Sequence, residues 1–471
     1  MSDIIYQAQA PLEFIPPAFN PLVLKGFHLL LPSWINWQTA ITQIEADNVE
    51  VLVDLYRQFQ EGKVRFLLAF RHPKTDDPFC LTYLFSQLVP KVARKQNTAL
   101  HLPIHAHFIY DRGIPLWAGS YAGWIASRLG GTSIQRGKAD WTGLRSARDL
   151  FANGRFPMAA APEGATNGLS EFISPLEPGI AQLGFWCAED LHKQERSEQV
   201  LIVPVGIKYD YVAAPWSAIA DLLSELEASS GLVVHSGQQN EVSCLESLYP
   251  RLLTLAEHLL SLMEQFYTRF YHQTLPDAKT IEAETGERQG RAGGERNAAL
   301  VIRLQALLNT ALRISEEYFN LLSKGQLGDR CRRVEQAGWN YIFREEFKDI
   351  KALSPVEKAL GDRVADEANS RMWHMRLVES FVAVSGNYIR EKPTAERFAE
   401  TTLILWKMIA RIKGDKAVQL PQLGKQRVKI TIGEPISVSE RYPAYKENRL
   451  SAKKAVANLT NDLQQQMENL I

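Results

Sequence analysis

A strand signal that returns late is the feature that most constrains this chain. In "RVKITIGEPISV", Arg427 to Val438, the apolar Val428, Ile430 and Ile432 alternate with polar residues at the period of a half-buried strand. The stretch before it, from Pro215 to about Gly414, reads differently. Segments such as "ESLYPRLLTLAEHLLSLMEQFYTRFYHQ" and "NAALVIRLQALLNTALRISEEYFNLLSKG" repeat their apolar residues at helical spacing. One strand has no stability alone, so this one must rejoin a sheet built earlier in the chain. The expected fold class is therefore α/β: a layered domain with a central, mostly parallel sheet, interrupted by a large all-helical insertion.

The other strands are expected before residue 213. "VRFLLAF", "GTSIQR", "FPMAAAP" and "VLIVPVGIKY" are short apolar runs separated by helix-like segments, the pattern of strands buried on both faces. The α/β domain is expected over residues 1–213 plus 425–471, and the helical insertion over 214–424, with a polar, glycine-rich linker near 276–297. Inside the insertion, Ser354, Pro355 and Glu357 spell a helix start with a capping box.

Composition narrows the function classes. Of 471 residues, 45% are hydrophobic and 23% charged, the balance of a soluble globular protein. Lys plus Arg and Asp plus Glu both count 53, so nothing global draws the chain to nucleic acid. Cys80, Cys187, Cys244 and Cys331 lie far apart, which suits free thiols in a reducing cytoplasm. The opening "MSDIIYQAQAPLEF" lacks the basic start and apolar core of a secretory signal. The longest uncharged run, Gly26 to Ile44, carries Pro32 and makes a poor spanning helix. Its Trp34 and Trp37 beside Leu29, Leu30 and Leu31 suit either a helix packed on the core or one resting at the headgroup level of a membrane.

Chemistry-bearing residues gather at the expected strand ends. "FRHPKTDDPF" places His72 and Asp77 directly after "VRFLLAF", and Asp77 before Pro78 also reads as the cap of a following helix. The same spacing recurs at His272 and Asp277, but there a helix runs into the linker. "FPMAAAP" leads into Pro162, Glu163 and Gly164, a carboxylate with a tight glycine turn. "GGTSIQRGKAD" puts Arg136 at a strand end and Lys138 two residues on, and an arginine there can grip a phosphate through two parallel hydrogen bonds. Pro204 interrupts the apolar "VLIVPVGIKY". Open α/β folds bind ligands at the carboxyl ends of their strands, which favours His72 over His272 as a catalytic residue.

Other constellations carry less. "HLPIHAHF" offers His101, His105 and His107, of which the last two could share one strand face as metal ligands, with no third ligand at a persuasive spacing. "GGTSIQRGKA" misses the spacing and the Ser or Thr of a phosphate loop, and no GxSxG elbow is present. The aromatic-rich "WAGSYAGWIASRLGG", Trp117 to Gly131, reads as core or as the lining of a groove beside these strand ends.

The order HxxxxD, an arginine-bearing strand, PEG and a proline-containing "VPV" strand resembles the four sequence blocks of the glycerolipid acyltransferase family, which includes glycerol-3-phosphate and lysophosphatidate acyltransferases. "VKITIGEPI" is similar to the strand that closes that family's domain. The resemblance spans roughly residues 20–213 and 425–440, and the helical stretch has no counterpart in it. It implies an acyltransferase domain in which His72 is the general base on a glycerol hydroxyl and Asp77 orients its ring. Arg136, Lys138, Glu163 and Gly164 would hold the acceptor's glycerol and phosphate, and Pro204 would shape the apolar wall nearby. It further implies acyl-CoA or acyl carrier protein as donor substrate, no metal or redox cofactor, a glycerol-phosphate acceptor lipid, and a cytoplasmic protein peripheral on a membrane.

The chain departs from the family pattern at several positions. No arginine follows the PEG glycine, where Gly164, Ala165, Thr166 and Asn167 stand. Arg71 replaces the usual Asn or Ser before the histidine, and Lys74 stands where serine is common. Arg71, Lys74 and Lys138 could supply the missing charge. Two rival functions use the same residues differently: a thioesterase or lipid hydrolase in which the dyad activates water, and a lipid-binding protein without catalysis.

Overall fold

The computed structural model describes residues 6–135, 140–233, 241–276, 292–381, 388–414 and 420–471. The chain is mixed α/β and divides into two compact units, one of Glu13–Val212 with Lys425–Ile471, the other of Met1–Leu12 with Ala213–Gly424. The first twelve residues thus fall outside the α/β unit, where they were expected. Gln9 explains why: it donates its N–H to Ile342 O at 2.8 Å and accepts the Arg344 N–H at 2.9 Å, joining the helical unit instead.

In the α/β unit the elements run α1 (Pro21–Gln38), β1 (Ile41–Asp47), α2 (Val49–Gln60), β2 (Val64–Phe70) and α3 (Asp77–Tyr83), the last continuing through one π-helical stretch into α4 (Val89–Lys95). There follow β3 (His107–Asp111), α5 (Ile114–Ala118), α6 (Ser120–Arg128), β4 (Thr132–Ile134), α7 (Trp141–Asn153), β5 (Met158–Ala160), α8 (Gly179–Lys193) and β6 (Gln199–Tyr211). The helical unit holds α9 (Trp216–Ser229), α10 (Glu241–Tyr271), α11 (Ala292–Tyr318), α12 (Leu327–Ile342), α13 (Pro355–Phe381), α14 (Tyr388–Glu391) and α15 (Ala395–Lys413). The chain then returns to the sheet as β7 (Gln426–Ile432) and β8 (Ile436–Ser437) and ends in α16 (Tyr442–Lys446) and α17 (Arg449–Glu468).

The sheet order is β1-β7-β6-β2-β5-β3-β4, with β8 beside β6. From β6 to β4 the strands are parallel, whereas β7 and β8 lie antiparallel to β6 and β1 runs parallel to β7. The chain leaves the sheet after β6 and re-enters at β7, and the two points touch, Val212 N–H bonding to Lys425 O at 2.9 Å. Alternation gives the sheet two apolar faces. Phe66, Leu68, Phe70, Val203, Val205 and Ile430 face one core cluster, which includes residues of α1 to α4. Leu67, Ala69, Met158, Ala160 and Ile202 face the other, with α7, α8 and α17.

Two strands escape the sequence pattern. The uncharged run from Gly26 to Ile44 is not one helix: α1 stops at Gln38, Thr39 Oγ1 bonds back to Ile35 O at 2.7 Å, and β1 opens at Ile41. As an edge strand, β1 is fully buried only at Ile41, so it carries little hydrophobic signal. β3 begins at His107, inside the histidine-rich segment, and half-buried residues make up the rest of it. In the helical unit, Ser354 and Glu357 form the expected reciprocal cap, at 2.8 and 3.2 Å. Of the expected linker near 276–297, residues 277–291 lie outside the described residues, and α11 already begins at Ala292.

Candidate active site

The parallel strands β2, β5 and β6 end along one edge, and the loops that leave them converge there. All seven residues of β2 are buried, which places His72 at the exit of a central strand. Arg71 N–H bonds to Val205 O at 2.9 Å, fixing the start of this loop against β6.

His72 and Asp77 form a hydrogen-bonded pair, with Nδ1 3.0 Å from Asp77 Oδ2. Asp77 is fully buried, and its oxygens take two further donors: the Lys74 N–H at 2.9 Å on Oδ2 and the Tyr209 hydroxyl on Oδ1. A carboxylate only accepts, so Nδ1 carries a ring proton, and in the neutral ring the lone pair falls to Nε2. The His72 side chain is 22% exposed and packs edge-on against Phe70, ring centres 5.8 Å apart. Burial and the neighbouring Asp77 push the Tyr209 hydroxyl well above the usual tyrosine range, so it stays a donor. Asp77 is not the helix cap its position before Pro78 predicts. Asp76 occupies the cap position of α3, and Asp77 turns back toward the histidine.

Glu163 braces the same loop from the β5 side. It is 2% exposed, and Oε1 accepts the His72 N–H at 2.9 Å while Oε2 accepts the Ser174 N–H at 3.0 Å and an Asn167 side-chain N–H at 3.1 Å. Burial pushes its carboxyl above the usual range, opposed by Arg71 and by the bonds from His72 and Ser174. Its oxygens thus position His72 and the loop after β5 from within the protein. Gly164 sits at φ +74°, the left-handed turn that glycine makes without strain. Gly168 N–H bonds to Pro73 O at 3.1 Å, tying the two loops again.

Arg71 is fully buried, and its guanidinium donates to the carbonyls of Leu169, Ser170 and Phe172. It therefore locks the loop and does not supply charge to a phosphate. Lys74 reaches Gln426 Oε1 at 2.6 Å and stands 4.2 Å from the centre of the Tyr209 ring. Pro204 faces away from His72. It shares the sheet face of Ile202, and a Cβ at Gly433 would lie 2.8 Å from its Cγ. Its missing N–H removes no ladder bond, because the β7 pairing ends at Val205 and the β8 pairing begins at Ile202. Arg136 and Lys138 lie outside the described residues, as does Asp277.

The histidine-rich segment has another use. His105 Nε2 bonds to Leu129 O at 2.9 Å and His107 Nδ1 to Gly130 O at 2.7 Å, so these rings fasten the chain before β4. Among the described residues no group of three His, Cys, Asp or Glu side chains could hold a metal ion. Cys80, Cys187 and Cys331 are buried and free.

Sequence spacing alone does not find Tyr209, Asn167 or the inward turn of Arg71. Tyr209 has one usable signal: it continues the period-two series Val203, Val205, Ile207 onto the face that His72 overhangs. Compared with known proteins, the chain matches no family, and no curated protein is significantly similar to it.

Proposed function

We propose that this protein is an acyltransferase that moves a fatty acyl group from a thioester, acyl-CoA or acyl carrier protein, to a hydroxyl of a glycerol-phosphate acceptor such as glycerol-3-phosphate or lysophosphatidate. The observation that carries the proposal is the buried Asp77, which fixes the His72 tautomer and leaves Nε2 on a partly exposed ring at the carboxyl edge of the sheet. In this reading Nε2 takes the acceptor's hydroxyl proton as the oxygen attacks the thioester carbonyl. The new C–O bond forms, the C–S bond breaks, and the imidazolium returns the proton to the departing thiolate. Asp77 steadies the imidazolium in between. The sequence blocks shared with glycerolipid acyltransferases supply the substrate class, with Arg136 and Lys138 as the proposed phosphate contacts and Gly164 shaping the acceptor loop. The helical segment is then an insertion within an acyltransferase-type domain.

Work at a membrane surface is part of the proposal. Leu22, Leu29, Leu30 and Trp37 on α1 and Tyr121 and Trp124 on α6 present large apolar side chains to solvent. The two helices are joined where Asn20 N–H meets Arg128 O at 2.8 Å. Tryptophan and leucine so arranged favour the boundary between headgroups and acyl chains.

The test is a mass-spectrometric analysis of lipids formed from an isotope-labelled acyl thioester with and without a panel of acceptors. Label in lysophosphatidate or phosphatidate, dependent on the phosphorylated acceptor, is the expected result. Release of free fatty acid at the same rate without acceptor would instead identify a hydrolase. Equal acylation of unphosphorylated alcohols would overturn the substrate class.

A further inference from the structure

The dyad has a neighbour whose charge plays no part in the steps above. Lys74 lies between His72 and Asp77 in the loop from β2 to α3. Its backbone N–H donates to Asp77 Oδ2 at 2.9 Å. Its ammonium has other partners: Nζ donates to Gln426 Oε1 at 2.6 Å and lies 4.2 Å from the centre of the Tyr209 ring. Gln426 is itself fixed, since it opens β7, is buried, and bonds through its N–H to Ala40 O at 2.8 Å. The ammonium is therefore held over a phenol whose hydroxyl donates to Asp77 Oδ1.

Electrostatics gives that placement a use. Asp76 and Asp77 are consecutive carboxylates, the first half-buried and the second completely buried. The groups that donate to Asp77, namely the His72 ring, the Lys74 backbone N–H and the Tyr209 hydroxyl, bring it no positive charge while the ring is neutral. Two carboxylates beside one imidazole favour the imidazolium, and an imidazolium has no lone pair with which to take a proton. A nearby ammonium opposes them. Its field is felt at Asp76, where burial raises the carboxyl above the usual range and Lys74 pulls it back, against Asp77. It reaches Asp77 through Tyr209 as well, because a cation over a phenol ring draws electron density from the hydroxyl, which then donates more strongly.

Among the described residues, the other titratable groups around the dyad leave this balance to Lys74. Glu163, from the loop after β5, faces Arg71, whose charge opposes the effect of burial on that carboxyl. Burial keeps the Tyr209 hydroxyl on β6 and the Cys80 thiol on α3 protonated.

We propose that Lys74 is a positioning residue of the dyad: its ammonium, seated on Gln426 and Tyr209, offsets Asp76 and Asp77 so that the His72 ring stands ready to accept a proton. The proposal rests on the reading of His72 as a general base for its catalytic meaning. Because the bond from Lys74 to Asp77 is made by the backbone, a change of side chain removes the charge and keeps that bond.

The experiment follows the ring and the reaction separately in the full-length protein. The His72 ring signals, assigned by their loss in His72→Ala, are titrated by NMR without substrate. In Lys74→Met the pH at which they titrate should rise by about one pH unit, since removing a nearby cation favours the protonated ring. Lys74→Arg keeps the charge and should titrate close to the wild type. Transfer from a labelled acyl thioester to glycerol-3-phosphate is then measured across the pH range. The acid limb of kcat/KM should move up with the ring in Lys74→Met, a loss of about tenfold on the acid side that disappears near about pH 9. A side chain that only packs would lose the same fraction at every pH. An unmoved titration in a folded Lys74→Met variant, or an equal loss of transfer at both ends of the range, would overturn the proposal. If the ring titrates higher in Lys74→Met but neither protein transfers acyl groups at any pH, the charge role stands and the acyl-transfer reading falls. Should Lys74→Met fail to fold, Gln426→Leu, which frees the ammonium from its seat, takes its place, and a ring that titrates in it as in the wild type would overturn the proposal.

Discussion

His72 is held from three sides: by Asp77 at its ring nitrogen, by Glu163 at its backbone N–H and by the edge-on contact with Phe70. If His72 is the base proposed above, a ring held in this way is already in its working tautomer, and its removal should be felt almost entirely in turnover. His72→Ala should lower kcat by about a hundredfold to ten-thousandfold with the far-ultraviolet spectrum unchanged. Tyr209 acts one step back. Tyr209→Phe leaves Asp77 with two of its three donors and should reduce kcat about tenfold with KM little changed, while stability falls by about 1 kcal/mol in urea unfolding. A change in KM alone would show that Tyr209 touches substrate instead. The His72–Asp77 pair was legible because its partners are close in sequence and follow an apolar run. Tyr209 was not, since 132 residues separate it from Asp77 and only the parallel register of β2 and β6 brings them together.

The loops after β2 and β5 act as one element. Glu163, Gly168 and Arg71 each bond across from one loop to the other, so disturbing the second loop should move His72. Gly164→Ala forces a Cβ into a left-handed turn and should cost about 1–2 kcal/mol, read as a lower thermal midpoint together with reduced kcat. On α1 the two tryptophans divide their roles. Trp34 packs on Phe79 with ring centres 4.3 Å apart, whereas Trp37 is 86% exposed. Leu29→Ser with Trp37→Ser should therefore reduce sedimentation with anionic liposomes severalfold at unchanged stability, and unaltered sedimentation would refute docking through α1. Strands with strong apolar patterning, β2, β6 and β7, could be read from the chain. The edge strand β1 could not, because a strand that shows solvent most of its side chains carries no alternation to read.

Both units share one consequence of burying histidines. Burial lowers His28 to about 4, His105 to about 3 and His107 to about 4 in the α/β unit, and His374 to about 4 in the helical unit. Unfolded histidine titrates near about 6.5, so below that pH the unfolded chain binds more protons than the folded one. The stability these neutral rings allow is whole above about pH 6.5 and drains as the pH falls toward about 4. Thermal midpoints should accordingly drop by several degrees between about pH 7 and about pH 5, and a flat profile would mean the rings are solvated. The late strand revealed where the chain re-enters the sheet, since only pairing with β6 and β1 could support it. The placement of residues 1–12 with the helical unit was hidden, because it rests on backbone bonds at Gln9 that no side-chain pattern records. The central claim is that His72 is the base of an acyl transfer. It is tested most directly by following label from an acyl thioester into glycerol-3-phosphate or lysophosphatidate with the wild type, His72→Ala and His272→Ala side by side. Loss of transfer in His72→Ala alone is the predicted result, and equal transfer by all three proteins would contradict it.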